Sequence, residues 1–204
     1  MRKSIKSHFQ KIFILGVIYL IIFFLLERVT PYKMYYTETW LDKYIPFNEY
    51  FVIFYIAWYF FIFFGFLYFV FKDDFNFNRT CYYMFSGMFI ALTLYTLFPS
   101  GQSLRVNISS NNIYTYIINL LYTIDTSTNV CPSLHVYNSI MMYVSLDKSE
   151  CLQNHPLVKR LLLLLVILIC MSTVLIKQHA IVDVIAAFVL CIIIYRIGEY
   201  KFNY

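Results

Sequence analysis

The sequence predicts an all-α integral membrane protein, a single domain over residues 1–204 built as a bundle of six transmembrane helices. Three observations predict it. Of the 204 residues, 61% are hydrophobic and only 13% are charged, against about 25% charged in soluble domains. Six apolar segments, at 12–26, 51–71, 81–98, 132–146, 161–176 and 180–197, cross a hydrocarbon core that takes about 20 helical residues, the shorter ones by borrowing flanking residues. Lysine and arginine then divide unequally between the two sides of that topology.

The first segment follows Arg2, Lys3, Lys6 and Lys11. Glu27-Arg28 stands where a signal peptide carries small residues for cleavage, so this segment reads as a retained anchor. Residues 32–50 form an aromatic, mixed-charge connector that includes Tyr35, Tyr36 and Trp40. Such rings favour the membrane boundary, one end apolar and the other wet. The connector reads as an interfacial segment on the outer surface, and a lid or lipid-access lip is its functional version.

The aromatic run at 51–71 reads as lipid-facing packing. Pro99 and Gly101 close the third segment, and the longest polar stretch runs from about Pro99 to Val130, too short for a soluble domain. The fourth segment starts with Ser133, His135, Asn138 and Ser139. It must therefore face protein or water rather than lipid, with its neighbours shielding it.

Six spans put both termini on one side. That side carries eleven Lys and Arg: Arg2, Lys3, Lys6, Lys11, Lys72, Arg79, Lys148, Lys159, Arg160, Arg196 and Lys201. Five lie opposite: Arg28, Lys33, Lys43, Arg105 and Lys177. The excess marks the terminal side as cytoplasmic, and the expected location is the cell membrane. The net charge of +5 is thus a matter of topology, and no basic stripe points to nucleic acid.

Cys81, Cys131, Cys151, Cys170 and Cys191 are odd in number and widely spaced, which argues against a disulfide framework or a zinc site. Asp73-Asp74 sits beside Lys72 and Arg79 on the terminal side, away from the histidines discussed next. No metal and no cofactor are expected. His155 reads as solvated, and His8 belongs to the basic N-terminal segment.

Chemistry concentrates on the outer face. Asp183 follows His179 by four residues, and helix side chains lean toward the N-terminus. The carboxylate can therefore hold one ring nitrogen and leave the other lone pair for attack, the arrangement covalent catalysis needs. An ionisable residue in lipid-soluble sequence also costs roughly 2.5–3.5 kcal/mol, which argues for a partner and a function. His135 follows Pro132 and Ser133 in an opening helical turn, whose backbone N–H groups suit an anion. It is placed to protonate a leaving oxygen. Arg105 offers a planar fork for phosphate oxygens, Gln102 an amide donor and Lys177 a second positive charge. Cations with N–H donors and two histidines suit phosphoryl transfer.

On these residues the chain resembles the type 2 phosphatidic acid phosphatase superfamily, whose three short motifs lie in order on one face of a six-span helical protein. Its Pro-Ser-Gly-His motif is matched by Pro132-Ser133-Leu134-His135. Its Ser-Arg, five residues, His, three residues, Asp motif is matched at Ser172, His179 and Asp183. Its Lys, six residues, Arg-Pro motif is matched at Arg105 alone. The likeness covers about residues 99–187. It implies that His179 is a phosphohistidine nucleophile, Asp183 its orienter and His135 the general acid, with Ser133 and Arg105 on the phosphoryl oxygens. Phe98, Val106, Leu134 and Thr173 stand where the family has Lys, Pro, Gly and Arg, so two phosphate-binding cations are missing. Lys177 is the candidate replacement. Similar spellings occur in the inositol phosphorylceramide synthase-like branch.

The expected function is a membrane-embedded phosphatase acting on a lipid phosphate or pyrophosphate, with membrane lipids as surroundings and no nucleic-acid partner. Two alternatives stay open: a phosphotransferase moving a phosphorylated head group to a lipid or polyol alcohol, and a non-catalytic lipid-binding or carrier protein. The sequence leaves the oligomeric state open.

Overall fold

Helices satisfy their own backbone hydrogen bonds, which apolar sequence of this kind demands. The computed structural model describes residues 2–29, 31–109 and 111–202, and it is 75% helical, in agreement with the all-α expectation. The side chains of Arg2, Lys3, Asp74 and Cys151, which enter the charge, metal and cysteine readings above, lie outside the described residues.

In chain order the helices are α1 (Arg2–Arg28), α2 (Val52–Lys72), α3 (Asp74–Leu97), α4 (Ile113–Ile124), α5 (Leu134–Asp147), α6 (Glu150–Gln153), α7 (Pro156–Leu175) and α8 (Ile181–Phe202). Strand among the described residues is a two-residue parallel pair, β1 (Tyr35–Tyr36) with β2 (Ser100–Gly101). It staples the connector to the loop after α3.

Among the described residues, five helical stretches are long and apolar enough to cross a membrane: Ile5–Arg28, Glu49–Lys72, Phe75–Leu97, Pro156–Leu175 and Ile181–Phe202. Their outward faces carry rows of exposed apolar side chains, among them Phe13, Phe63, Leu161 and Ile192. Contiguous surface of that kind is costly in water and neutral in lipid.

The fourth predicted segment is α5, and it differs from the rest. With 14 residues it extends about 21 Å, less than the roughly 30 Å of hydrocarbon. It packs against α2, α3, α7 and α8 and buries eight side chains, including Tyr137, Met141 and Met142. Two of its polar residues are satisfied within the helix itself. The Ser139 and Ser145 hydroxyls donate to the carbonyls of His135 at 2.7 Å and Met141 at 2.9 Å, each one turn back. Gly87 on α3 makes room for the Tyr137 ring, which a Cβ there would strike; the Tyr137 hydroxyl then donates to the Tyr83 carbonyl.

Two helices were not foreseen, the four-residue α6 and the longer α4. The polar stretch before α5 contains α4, whose Asn112 caps its own start by accepting from the Thr115 N–H at 2.9 Å. Ile118 and Thr115 face inward, and Ile118 joins Val52, Tyr55 and Ile176 in a small apolar cluster under the connector.

At the end of the molecule that holds both termini, polar groups pair with one another. Glu199 on α8 accepts from Arg79, from Tyr83 at 2.6 Å and pairs with Lys148. Lys159 meets Asp147 at 3.0 Å. His8 is buried and stacked on Phe77, with ring centroids 3.9 Å apart. Asp73 caps α3 by accepting from the Asn76 N–H at 3.0 Å, a helix-start role rather than a metal site.

Candidate active site

The turn between α7 and α8 positions the first histidine. α7 ends at Leu175, and the Thr173 carbonyl accepts from both the Gln178 and the His179 N–H at 3.0 Å. This folds the chain back so that α8 starts directly after His179. Asp183 is then in the first turn of α8. Its Oδ2 accepts the Ala180 N–H at 2.9 Å and lies 3.3 Å from His179 Nδ1, the i,i+4 contact the spacing predicts. A carboxylate accepts only, so Nδ1 carries a proton, and in the neutral ring Nε2 then holds the lone pair. Nε2 has no hydrogen-bond partner among the described residues.

A second stretch joins at the same place. Ser133 is the N-cap of α5, its Oγ facing the Val136 N–H at 3.5 Å, and its own N–H donates to the Asp183 carbonyl at 3.1 Å. That bond ties the two histidine segments together. The rings of His135 and His179 end up 6.0 Å apart, centroid to centroid. Tyr95 holds the bend by donating to the Pro132 carbonyl at 2.7 Å, and the Ser100 hydroxyl accepts the Val130 and Cys131 N–H groups at 3.0 and 2.9 Å. The half-buried Cys131 thiol is pushed up to about 12 by burial and by the neighbouring Asp183 carboxylate. It therefore stays a thiol and is a poor nucleophile.

Arg105 supplies the third stretch. Its guanidinium donates to the carbonyls of Tyr122 (2.8 Å) and Asp125 and to Gln178 Oε1 (2.8 Å), one residue before His179. It also lies over the Tyr122 ring, 4.6 Å from the centroid. Burial pulls its pKa down from the ordinary value, and the nearby Asp125 carboxylate opposes that pull.

Gln102 and Lys177 are placed in the same neighbourhood but turned to other work. The Gln102 amide donates to the backbone carbonyls of Lys177 at 3.1 Å and Gln178 at 3.4 Å. Lys177 is buried, and its Nζ donates to the carbonyls of Asp42 at 3.0 Å and Ile45 at 2.6 Å in the connector. Its φ of 59° is left-handed, a conformation that non-glycine residues hold only where surrounding contacts compensate. Thr173 donates its hydroxyl to the Cys170 carbonyl at 2.8 Å.

Three features of the site escaped sequence reasoning. Asp42 is 1% exposed. Its Oδ1 accepts the Ile181 N–H at 2.8 Å while its Oδ2 accepts the Thr39 N–H at 2.7 Å, so the connector caps the helix that carries Asp183. The Thr39-x-x-Asp42 spacing signals the local cap at Thr39 alone, not the reach of Asp42 to α8. An aromatic box encloses His135. Tyr55 stacks on it at 4.3 Å, Trp58 leans on it at 4.3 Å and Tyr59 meets it edge-on at 6.3 Å. The spacing of 55, 58 and 59 puts these on one face of α2, and they are amphipathic aromatics among phenylalanines. Behind the box, Tyr55 donates to Asp125 Oδ2 at 2.9 Å.

Among the described residues, six buried side-chain polar atoms lack a hydrogen-bond partner. They are Trp58 Nε1, Arg105 Nε, His135 Nε2, Asn138 Oδ1, Gln178 Nε2 and Asp183 Oδ1. All belong to this site or to the turn of α5 beneath it. No group of three or more metal-binding side chains occurs among the described residues. The chain as a whole matches no protein-family model, no curated protein and no solved structure.

Proposed function

We propose that this chain is a membrane-embedded enzyme that transfers the phosphoryl group of a lipid phosphate or pyrophosphate through His179. The observation that supports it best is the convergence of three sequence-distant stretches: Arg105 beside Gln178, Ser133 bonded to Asp183, and two imidazoles 6.0 Å apart. In this reading the two rings address one phosphoryl group, His179 at phosphorus and His135 at a departing oxygen.

In this reading His179 Nε2 attacks phosphorus while Asp183 holds the proton on Nδ1, and the P–O bond to the leaving group breaks. His135 gives that departing oxygen its proton. Water then attacks the phosphohistidine, giving a proton back to His135, and the P–N bond breaks to release phosphate. The Arg105 guanidinium and the N–H groups at the start of α5 offset the charge on the equatorial oxygens. No step requires a metal or a cofactor.

The membrane arrangement is part of the proposal. α5 completes a sixth crossing with the loops at its two ends, shielded by α2, α3, α7 and α8. The cation excess of eleven to five supports a topology with both termini in the cytoplasm and the histidines at the outer face.

One observation favours an alcohol over water as acceptor. Phe98 and Thr173 occupy family cation positions, and Lys177 is bound to connector carbonyls, leaving Arg105 as the cation nearest the histidines. One guanidinium matches the single charge of a phosphodiester better than the double charge of a phosphomonoester. Head-group transfer is therefore the second reading.

The test is a release screen on the purified full chain in mixed micelles. Phosphatidate, phosphatidylglycerophosphate, a polyprenyl pyrophosphate and a sphingoid phosphate are each offered with and without an alcohol. Turnover that disappears in His179→Ala supports the proposal. Turnover unchanged by that substitution would overturn it, and free phosphate with every acceptor would remove the transfer reading.

A further inference from the structure

Buried donors without acceptors cost about 1–3 kcal/mol each, so native proteins leave few of them. Here such atoms gather around one pair of imidazoles. The identity of one is fixed by chemistry. Gln178 Oε1 accepts from Arg105 at 2.8 Å, and arginine has no acceptor to offer. The amide is thereby oriented, and its unpartnered Nε2 is an NH₂ with hydrogens to give. It sits one residue before His179 and bonds to the guanidinium that faces the site.

A second is Trp58 Nε1, donor-only by nature. The indole lies 4.3 Å from the His135 ring, and Nε1 is buried with no partner. Arg105 Nε is the third donor in the set. Together they outnumber the charges: the site has one guanidinium, and neutral N–H groups are left over beside it.

We propose that Trp58 and Gln178 are anion-binding residues of this site, donating N–H groups to the oxygens of the phosphoryl group in place of the cations missing at Phe98 and Thr173. Neutral donors can hold such a group in a low-dielectric site, because a hydrogen bond to a charged acceptor is roughly twice as strong as a neutral one. The inference rests on the reading of the site as a phosphoryl-transfer centre, and it assigns two ligand residues that the three motifs do not include.

The probe is orthovanadate, a tetrahedral oxyanion, titrated into the purified full chain carrying ¹⁵N-labelled tryptophan. The sequence has two tryptophans, Trp40 and Trp58, and Trp40→Phe assigns their indole signals without disturbing the site. The expected result is a saturable downfield shift of the Trp58 indole proton with the Trp40 signal still. Vanadate affinity should fall about tenfold or more in Trp58→Phe, which keeps a ring but loses the N–H, and likewise in Gln178→Glu. If the chain binds vanadate while the Trp58 signal stays fixed, the indole is donating into a neighbouring ring such as Tyr59, 4.9 Å away from it at its own helix. This inference then fails and the phosphoryl-site reading stands. If the chain binds no vanadate at millimolar concentration, both fail. The spectral shift does not depend on any variant at residue 58 folding.

Discussion

The two ends of this molecule treat polar side chains in opposite ways. At the end with the termini, Glu199 is shared by Arg79, Tyr83 and Lys148, and Asp147 is paired with Lys159. These carboxylates each have an answering charge from the chain itself. At the other end, Arg105 is held by carbonyls, His179 by one carboxylate, and six buried polar atoms in that region have no partner among the described residues. The closed cluster is what a structure needs to fix helix ends. The open one is what a ligand needs, since unspent donors in a low-dielectric site are available to a substrate. Among the described residues, the unpartnered buried polar side-chain atoms gather at the second end.

The sharpest way to break the comparison is to substitute at each end and compare what is lost. Asp183→Asn should cut turnover by about 10⁴-fold, because an amide no longer fixes the Nδ1–H tautomer or balances the charged ring. The check is turnover per folded protein, with thermal stability as control. His135→Asn should cost about 10³-fold, and the loss should shrink when the leaving group is a good one, such as a nitrophenolate, that departs without a proton. An equal loss for good and poor leaving groups would remove His135 from the acid role.

At the closed end the loss falls on stability rather than turnover. Glu199→Gln should lower stability by about 2 kcal/mol, since it leaves Arg79 and Lys148 without their carboxylate, and turnover per folded molecule should hold. A fall in turnover as large as that at Asp183 would erase the distinction between the two ends.

The smallest effect concerns the strap between them and the connector. Burial lowers the pKa of Lys177, with Asp42 opposing. A lysine lowered in the folded state binds fewer protons there than in the unfolded state over the interval between its folded pKa and about 10.4. Stability should therefore rise with pH within that interval, just below 10.4, and be flat below its lowered value. Thermal unfolding of wild type against Lys177→Met across mildly basic pH should show that slope in the wild type alone.

Much of this was legible in the sequence, for identifiable reasons. Apolar length located the five long helices. The polar start of α5 announced a helix that must be shielded, and four neighbours shield it. The four-residue step from His179 to Asp183 is local geometry, so it survived folding as expected. What escaped was long-range or uniform. Asp42 reaches the start of α8 across most of the chain, and no local pattern records that. The Lys177 ammonium and the Gln102 amide were read as phosphate donors from proximity in topology, but each is spent on a backbone carbonyl that only tertiary structure brings near. Tyr55, Trp58 and Tyr59 were hidden because they sit in a run so aromatic that a functional face and a lipid-facing one look alike. α4 was hidden because its short apolar face lies in an otherwise polar stretch.

The account depends on a covalent bond between phosphorus and His179, and a rapid-quench labelling experiment looks for it directly. Phosphatidate or a polyprenyl pyrophosphate carrying ³²P in its terminal phosphate is mixed with the full chain and stopped within the first turnover. Label that is stable to base, labile to acid and confined to the peptide containing His179 is the predicted result. Substrate consumed with the label on another residue, or with none on the protein at any quench time, would contradict it.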